Sequence, residues 1–85
     1  MNTEALLSER GTTHGDFHCN AHYGQALRAL WRTSPHWASM PPEHREALDH
    51  MAGKFSRILS GQSTFRDHWD DVSGYSALAS RACER

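Results

Sequence analysis

The fold class is decided by residues 41–61, which read PPEHREALDHMAGKFSRILSG. Two prolines open this stretch and a glycine closes it, an arrangement typical of a helix start and a helix stop. Between them the apolar residues form one stripe: Leu48, Met51, Ala52, Phe55, Ile58 and Leu59. This spacing matches the period of an α-helix that buries one face. The stretch therefore predicts a long amphipathic helix between Pro41-Pro42 and Gly61.

Two helices are predicted before this one. A short first helix is capped by Thr3 and ends at Gly11, and residues 10–16 form a loop. The second helix runs from about Phe17 to Thr33, with Asp16 as its N-cap. Its predicted core stripe lies on one face and contains Phe17, Ala21, Gly24, Leu27 and Trp31.

The last helix and the connector before the third helix complete the fold. In the connector, residues 35–42, Trp37 and Met40 are expected to cover one end of the core. The fourth helix opens at Thr64-x-x-Asp67, a variant of the capping box. The residues that it is predicted to turn inward are Phe65, Trp69, Val72, Ser76, Ala79 and Cys83. No segment alternates with a period of two, so residues 1–85 are predicted to form a single all-α domain, a compact bundle of about four helices with a short first helix and three longer ones.

Composition narrows the class of protein. The 85 residues carry a formal net charge of −1 and no run of Lys and Arg, which argues against binding to duplex nucleic acid. A chain of this length builds a small core, so we expect a homo-oligomer. Cys19 and Cys83 are far apart in sequence, as expected for reduced cysteines. The chain shows neither a signal peptide nor an apolar run long enough for a membrane, which predicts a cytoplasmic protein without a membrane partner.

Three glycines lie inside predicted helices, where glycine is less stable than alanine. Gly24 falls on a core stripe and would let a neighbouring helix approach closely. Gly53 and Gly74 fall on polar faces instead. They are either neutral surface positions or places where a ligand or a second subunit contacts the backbone.

Carboxylates at helical spacing are candidate metal ligands. Asp67 shares a helix face with Asp70 and Asp71, and Glu43 and Glu46 form a second pair one turn apart. Such pairs can hold a divalent cation such as Mg²⁺. Both sets also lie in the first turns of their helices, where the helix dipole favours acids without any metal.

Basic residues and histidines are candidate phosphate ligands. The chain has seven histidines, but no spacing typical of a zinc site. His14 lies in a glycine-flanked loop that runs through Asp16 into a helix N-terminus, where free backbone N–H groups attract anions. We expect His14 or His68 to contact a phosphate or to orient a carboxylate. Arg10, Lys54 and Arg57 would supply positive charge beside them.

Three motifs together resemble a group of small phage and prophage proteins of unknown function. They are Arg10-Gly11-x-x-His14-Gly15-Asp16-Phe17, then Lys54-x-x-Arg57-Ile58-Leu59, then Asp67-His68-Trp69-Asp70-Asp71-Val72-x-Gly74-Tyr75. The resemblance covers nearly the whole chain. It implies a phage or prophage origin, and hence a host cytoplasm, together with a helical domain, but it implies no activity.

A looser resemblance is to the all-α nucleoside triphosphate pyrophosphohydrolases of the MazG type. That family holds magnesium against a nucleotide's phosphates with ExxE on one helix and ExxD on a later one. Glu43-x-x-Glu46 and Asp67-x-x-Asp70 stand in comparable order here. Because Asp67 replaces a glutamate and both pairs lie at helix starts, the resemblance favours ligand binding over hydrolysis.

Two functions follow as expectations. The first is a phage-type helical protein that binds a phosphorylated nucleotide or a related small molecule, with Mg²⁺ and hydrolysis as a further possibility. The predicted ligand contacts are Arg10, His14, Asp16, Lys54, Arg57, His68, Gly74 and Tyr75, and the predicted metal ligands are Glu46, Asp67, Asp70 and Asp71. The alternative is a non-catalytic anti-defence protein, which sequesters a nucleotide signal or covers a host defence protein. No residue is singled out as catalytic.

Overall fold

The computed structural model describes residues 2–84 and confirms an all-α bundle. Within that range the chain forms four α-helices and no strand: α1 (Thr3–His14), α2 (Phe17–Arg32), α3 (Pro42–Ser60) and α4 (Arg66–Ala82). A short 3-10 helix, Trp37–Ser39, lies in the connector between α2 and α3. Trp37 and Met40 of this connector are half-buried, as its predicted covering role requires.

Helix α3 is the centre of the bundle, with α2 packed on one side and α4 on another. Its buried positions are small residues, Ala47, Ala52 and Ser56, and Ala52 is fully buried. The buried Gly24 of α2 meets them, since a Cβ added to it would lie 3.6 Å from the Ser56 Oγ. The predicted role of Gly24, close approach of a neighbouring helix, is therefore confirmed.

The structure corrects both ends of the first helix. Asn2 caps α1 instead of Thr3, because its side-chain oxygen accepts a hydrogen bond from the Ala5 N–H at 2.7 Å. The helix then continues through Gly11 to His14. The residue that ends it is Gly15, whose φ of 77° lies in the left-handed region that favours glycine. Residues 10–14, predicted as loop, are therefore helical.

The C-terminal end of α1 is fixed against the end of α3. The Ser60 hydroxyl donates to the His14 carbonyl at 3.1 Å, and the Gln62 N–H donates to the Thr13 carbonyl at 3.1 Å. The two backbones touch here, since a Cβ added to Gly61 would lie 2.5 Å from the Gly15 nitrogen. None of the residues Thr3–His14, all of them described, is buried. The attachment of α1 is thus concentrated at its last turn.

The predicted inward face of α4 is only partly right. Phe65, Val72 and Ala79 are half-buried, but Ser76, Cys83 and Trp69 are exposed. Trp69 is 51% exposed and its indole N–H donates to the Ser63 carbonyl at 2.8 Å, whereas the neighbouring His68 is 2% exposed. The capping box is also wrong, because the N-cap is Phe65 and makes no side-chain hydrogen bond.

Three other predicted core positions lie at the surface. Phe17, at the start of α2, is 86% exposed, and Leu59, near the end of α3, is also exposed. Ala21 of the same α2 stripe is exposed as well. The ends of α2 otherwise agree with the prediction. Asp16 caps the helix, because its side chain accepts a hydrogen bond from the Cys19 N–H at 2.9 Å.

Candidate functional site

A cleft of about 630 Å³ lies between α1, α2 and α3. Each of the three helices contributes one arginine to the lining: Arg10 from α1, Arg28 from α2 and Arg57 from α3. Helix α1 also contributes His14. The remaining lining residues are Leu7, Gly11, Gly15, Asp16, Phe17, Asn20, Ala21, Gln25, Gly53 and Ser56. We call this the arginine cleft. It brings together four of the predicted ligand residues, Arg10, His14, Asp16 and Arg57.

Arg28 was missed from the sequence, and two glycines explain its place. A Cβ on Gly24 would lie 2.9 Å from one terminal nitrogen of Arg28, and a Cβ on Gly53 would lie 3.4 Å from the other. The guanidinium therefore lies across α2 and α3 where both lack side chains, and its Nη2 donates to the Asp49 carbonyl at 3.0 Å. The spacing Gly24-x-x-x-Arg28, one helical turn, is the pattern that could have revealed it.

Positive charge dominates the arginine cleft. Within residues 2–84 the ion pairs with a carboxylate involve Arg32, His50, Lys54 and Arg66, and none involves the three cleft arginines. Asp16 is the carboxylate in the lining, and it is engaged as the N-cap of α2. The backbone hydrogen bond from Cys19 lowers the pKa of Asp16, so this group is ionised at neutral pH. Three cations against one anion give the cleft a positive potential that attracts anions.

His14 is the titratable histidine of the cleft. Burial, and then the nearby His68, Arg57, Lys54 and Arg10, lower the pKa of His14 below its usual 6.5. The imidazole is therefore neutral at pH 7. An anion bound among the arginines would offset their repulsion and raise the pKa of His14 again.

His68 lies behind His14 and does not line the cleft. The two rings meet edge to face with centroids 4.6 Å apart, and Phe65 packs on both. The buried His68 places its Nε2 3.1 Å from the Thr13 carbonyl, where the protonated nitrogen donates. His68 thus holds the end of α1 in place, and its predicted contact with a ligand stays a prediction.

Three other predicted ligand residues, Lys54, Gly74 and Tyr75, do not line the arginine cleft. The Lys54 ammonium pairs with the Asp71 carboxylate at 2.9 Å, joining α3 to α4, and this contact lowers the pKa of Asp71. Tyr75 stacks on His50, with ring centroids 4.7 Å apart and planes 10° apart. Gly74 is exposed, and a Cβ added to it would meet nothing within 4 Å.

Three of the four predicted metal ligands form ion pairs with neighbouring side chains. Asp70 lies 3.5 Å from Arg66 and Glu46 lies 3.1 Å from His50, while Asp71 is held by Lys54. In the part of the chain that the structure describes, no three His, Cys, Asp or Glu side chains come together as a metal site would need. Magnesium binding by Asp67, Asp70 and Asp71 stays a prediction.

A second groove, of about 440 Å³, lies between α3 and α4 and is mostly apolar. Met40 and Met51 line it, together with His44 and Cys83, whose thiol lies 3.6 Å from the His44 Nε2. That nitrogen also lies 2.9 Å from the Ala79 carbonyl and donates to it. Both Cys83 and Cys19 are free thiols, as predicted.

Comparison of the chain with models of protein families, with curated proteins and with solved structures gave no match. None of the helices within residues 2–84 has the length and apolar character that crossing a membrane requires.

Proposed function

We propose that this protein binds a phosphorylated nucleotide or a related small molecule in the arginine cleft. The observation that carries the proposal is that Arg10, Arg28 and Arg57, from three different helices, line one cleft of about 630 Å³. Within residues 2–84 none of the three forms an ion pair with a carboxylate. Clefts of about 300–1,000 Å³ are the usual size for small-molecule sites. A guanidinium presents a planar fork of N–H donors that matches two oxygens of one phosphate.

The packing of the arginines also favours a preorganised anion site. Arg28 is half-buried, and its hydrogen bond to the Asp49 carbonyl fixes one edge of the guanidinium. Arg57 is half-buried on α3, the central helix of the bundle. Like charges held close together disfavour the empty protein, so a bound anion relieves repulsion as well as adding hydrogen bonds. His14 would join them as a donor once the anion raises its pKa.

The test is a titration with tripolyphosphate and with adenosine triphosphate, each with and without magnesium, followed by calorimetry and by thermal shift. Arg57→Gln should weaken binding at least ~10-fold, because a hydrogen bond to a charged group is worth about 1.5–3 kcal/mol. The matched control is Arg66→Gln, since Arg66 is an exposed helical arginine outside the cleft. Equal binding by Arg57→Gln, Arg28→Gln and the unmodified protein would contradict the proposal.

Hydrolysis is a separate proposal within this one. It requires magnesium, and the acids predicted to hold that ion, Asp67, Asp70 and Asp71, belong to α4 and are not part of the cleft lining. Binding that strengthens with magnesium and is lost in Asp70→Asn would support a role for these acids. Release of phosphate or pyrophosphate in the same reaction would support catalysis.

A second candidate function is the covering of another protein. Several large apolar side chains are exposed outside the arginine cleft: Leu30, Leu59, Trp69 and Leu78. Aromatic and aliphatic side chains of this kind are typical anchors of protein interfaces. For a chain of phage or prophage origin acting in a host cytoplasm, the partner would be a host defence protein. If Trp69→Ala abolished binding to a partner protein and left anion binding unchanged, that result would favour this function.

A further inference from the structure

Phe17 is the most unusual apolar side chain of the arginine cleft. It is predicted as a core residue from its place in the α2 stripe, yet it is 86% exposed while lining the cleft. It occupies the first position of α2, directly after the N-cap Asp16. Helix capping at that end is already achieved by Asp16, so local structure gives no reason for an aromatic ring there.

A second apolar residue lines the cleft from another helix. Leu7 of α1 is 61% exposed and belongs to the same lining. The cleft thus offers a ligand two kinds of contact: guanidinium groups from all three helices, and exposed apolar surface from α1 and α2. Such a surface fits an amphipathic ligand that carries an anionic group and a flat apolar group in one molecule.

We infer that the ligand is a nucleotide whose base stacks on the ring of Phe17 while the arginines hold its phosphates. This inference rests on the proposed anion site and deepens it. Sugar phosphates and inorganic polyphosphates have no flat apolar face, so they would leave Phe17 and Leu7 exposed. Nucleobases stack on aromatic side chains regardless of base identity, because every base has a π-face.

The charge of Asp16 orients the nucleotide. Its carboxylate is ionised and adjacent in sequence to Phe17, so phosphates are repelled from this end of the cleft. Because one of its oxygens already accepts from Cys19, a base amino group would be bound by the other. The phosphates are left to the arginines, and the base is left to Phe17 and Asp16.

The experiment compares adenosine triphosphate with tripolyphosphate on the full chain by calorimetry. We expect adenosine triphosphate to bind at least ~10-fold more tightly, since stacking of one base on an aromatic ring is worth about 1–3 kcal/mol. Phe17→Leu should remove that difference and leave tripolyphosphate binding unchanged. Phe17→Trp should preserve it, and the new indole should be quenched by the base. Tyr23→Leu is the matched control, because Tyr23 is an exposed aromatic residue of the same helix outside the cleft lining.

Failure of this inference is distinguishable from failure of the anion site. Equal affinity for the two ligands, both weakened by Arg57→Gln, would overturn base stacking and leave the phosphate site standing. Binding of neither ligand would overturn both. Because the Phe17 ring is almost fully exposed, Phe17→Leu should fold normally, and an unchanged circular dichroism spectrum and melting temperature would show that it does.

Discussion

Replacing Gly15 with alanine tests how the wall of the arginine cleft is attached. Gly15 has a φ of 77°. A Cβ built on it would lie 2.5 Å from the carbonyl carbon of Ser60 and would also clash with the Ser60 carbonyl oxygen. With ψ at 175°, Gly15 lies in a region that is essentially restricted to glycine, and an L-residue there costs about 1–3 kcal/mol. The clash is with backbone, so α1 must also move away from the end of α3.

The movement breaks a defined set of hydrogen bonds. The Thr13 carbonyl accepts from the Gln62 N–H and from His68, and the His14 carbonyl accepts from the Ser60 hydroxyl. At about 0.5–1.5 kcal/mol for each of the three bonds, with the strain added, Gly15→Ala should lower the free energy of unfolding by about 3–7 kcal/mol. An 85-residue domain has only about 4–13 kcal/mol in total.

Urea denaturation followed by circular dichroism measures the loss in the free energy of unfolding. Calorimetry with tripolyphosphate measures anion binding by the arginine cleft. Gly74→Ala is the matched control, because a Cβ at Gly74 meets nothing within 4 Å and the residue lies inside α4. Alanine there should stabilise the helix by about 0.5–1 kcal/mol, the opposite sign. A Gly15→Ala variant as stable as the unmodified protein, with full anion binding, would refute the contact between Gly15 and Ser60.

Further predictions concern pH, charge, core and assembly. The pKa of His14 is lowered in the folded protein, so the unfolded chain binds more protons just below pH 6.5. The free energy of unfolding should therefore fall as the pH falls through that window. His14→Gln should flatten this part of the plot of unfolding free energy against pH. Asp71→Asn removes the partner of Lys54 and should lower the melting temperature slightly, whereas a rise would indicate repulsion among the α4 acids. Phe55→Ala should cost about 3 kcal/mol by urea denaturation, since Phe55 is half-buried in α3, and an unchanged midpoint would place the ring outside the core. Light scattering at high micromolar concentration should report a dimer or larger, and a monomer would contradict the predicted self-association.

The helices could be predicted because their determinants are local. Proline, glycine and apolar spacing within residues 41–61 are enough to place α3, and the Asp16 side chain is enough to place the start of α2. Gly11 misled the prediction of α1, because a glycine can also sit inside a helix when a later residue provides the left-handed turn. That residue is Gly15, and its φ depends on contact with Ser60, 45 positions away.

The misplaced core residue of α4 and the unforeseen pairing of Lys54 have a common physical origin. Trp69 is the larger apolar side chain, so the pattern favours it as the core residue over His68. His68 is buried because its ring nitrogen finds the Thr13 carbonyl, which is 55 residues distant in sequence. Lys54 likewise pairs with Asp71 on another helix. Partners of this kind depend on packing, and a single sequence does not reveal them.

Because α1 is attached mainly at its C-terminal end, a change in its tilt would displace its N-terminal end the most. Its 12 residues span about 18 Å, and its pivot is the junction at Gly15. A rotation of about 10° there would move the far end by about 3 Å, an estimate from that length alone. Leu7 and Arg10 belong to α1 and would move with it. The other lining residues Phe17, Arg28 and Arg57 belong to α2 and α3. A change in that one angle would widen or narrow the cleft and would leave the packing of α2 against α3 undisturbed.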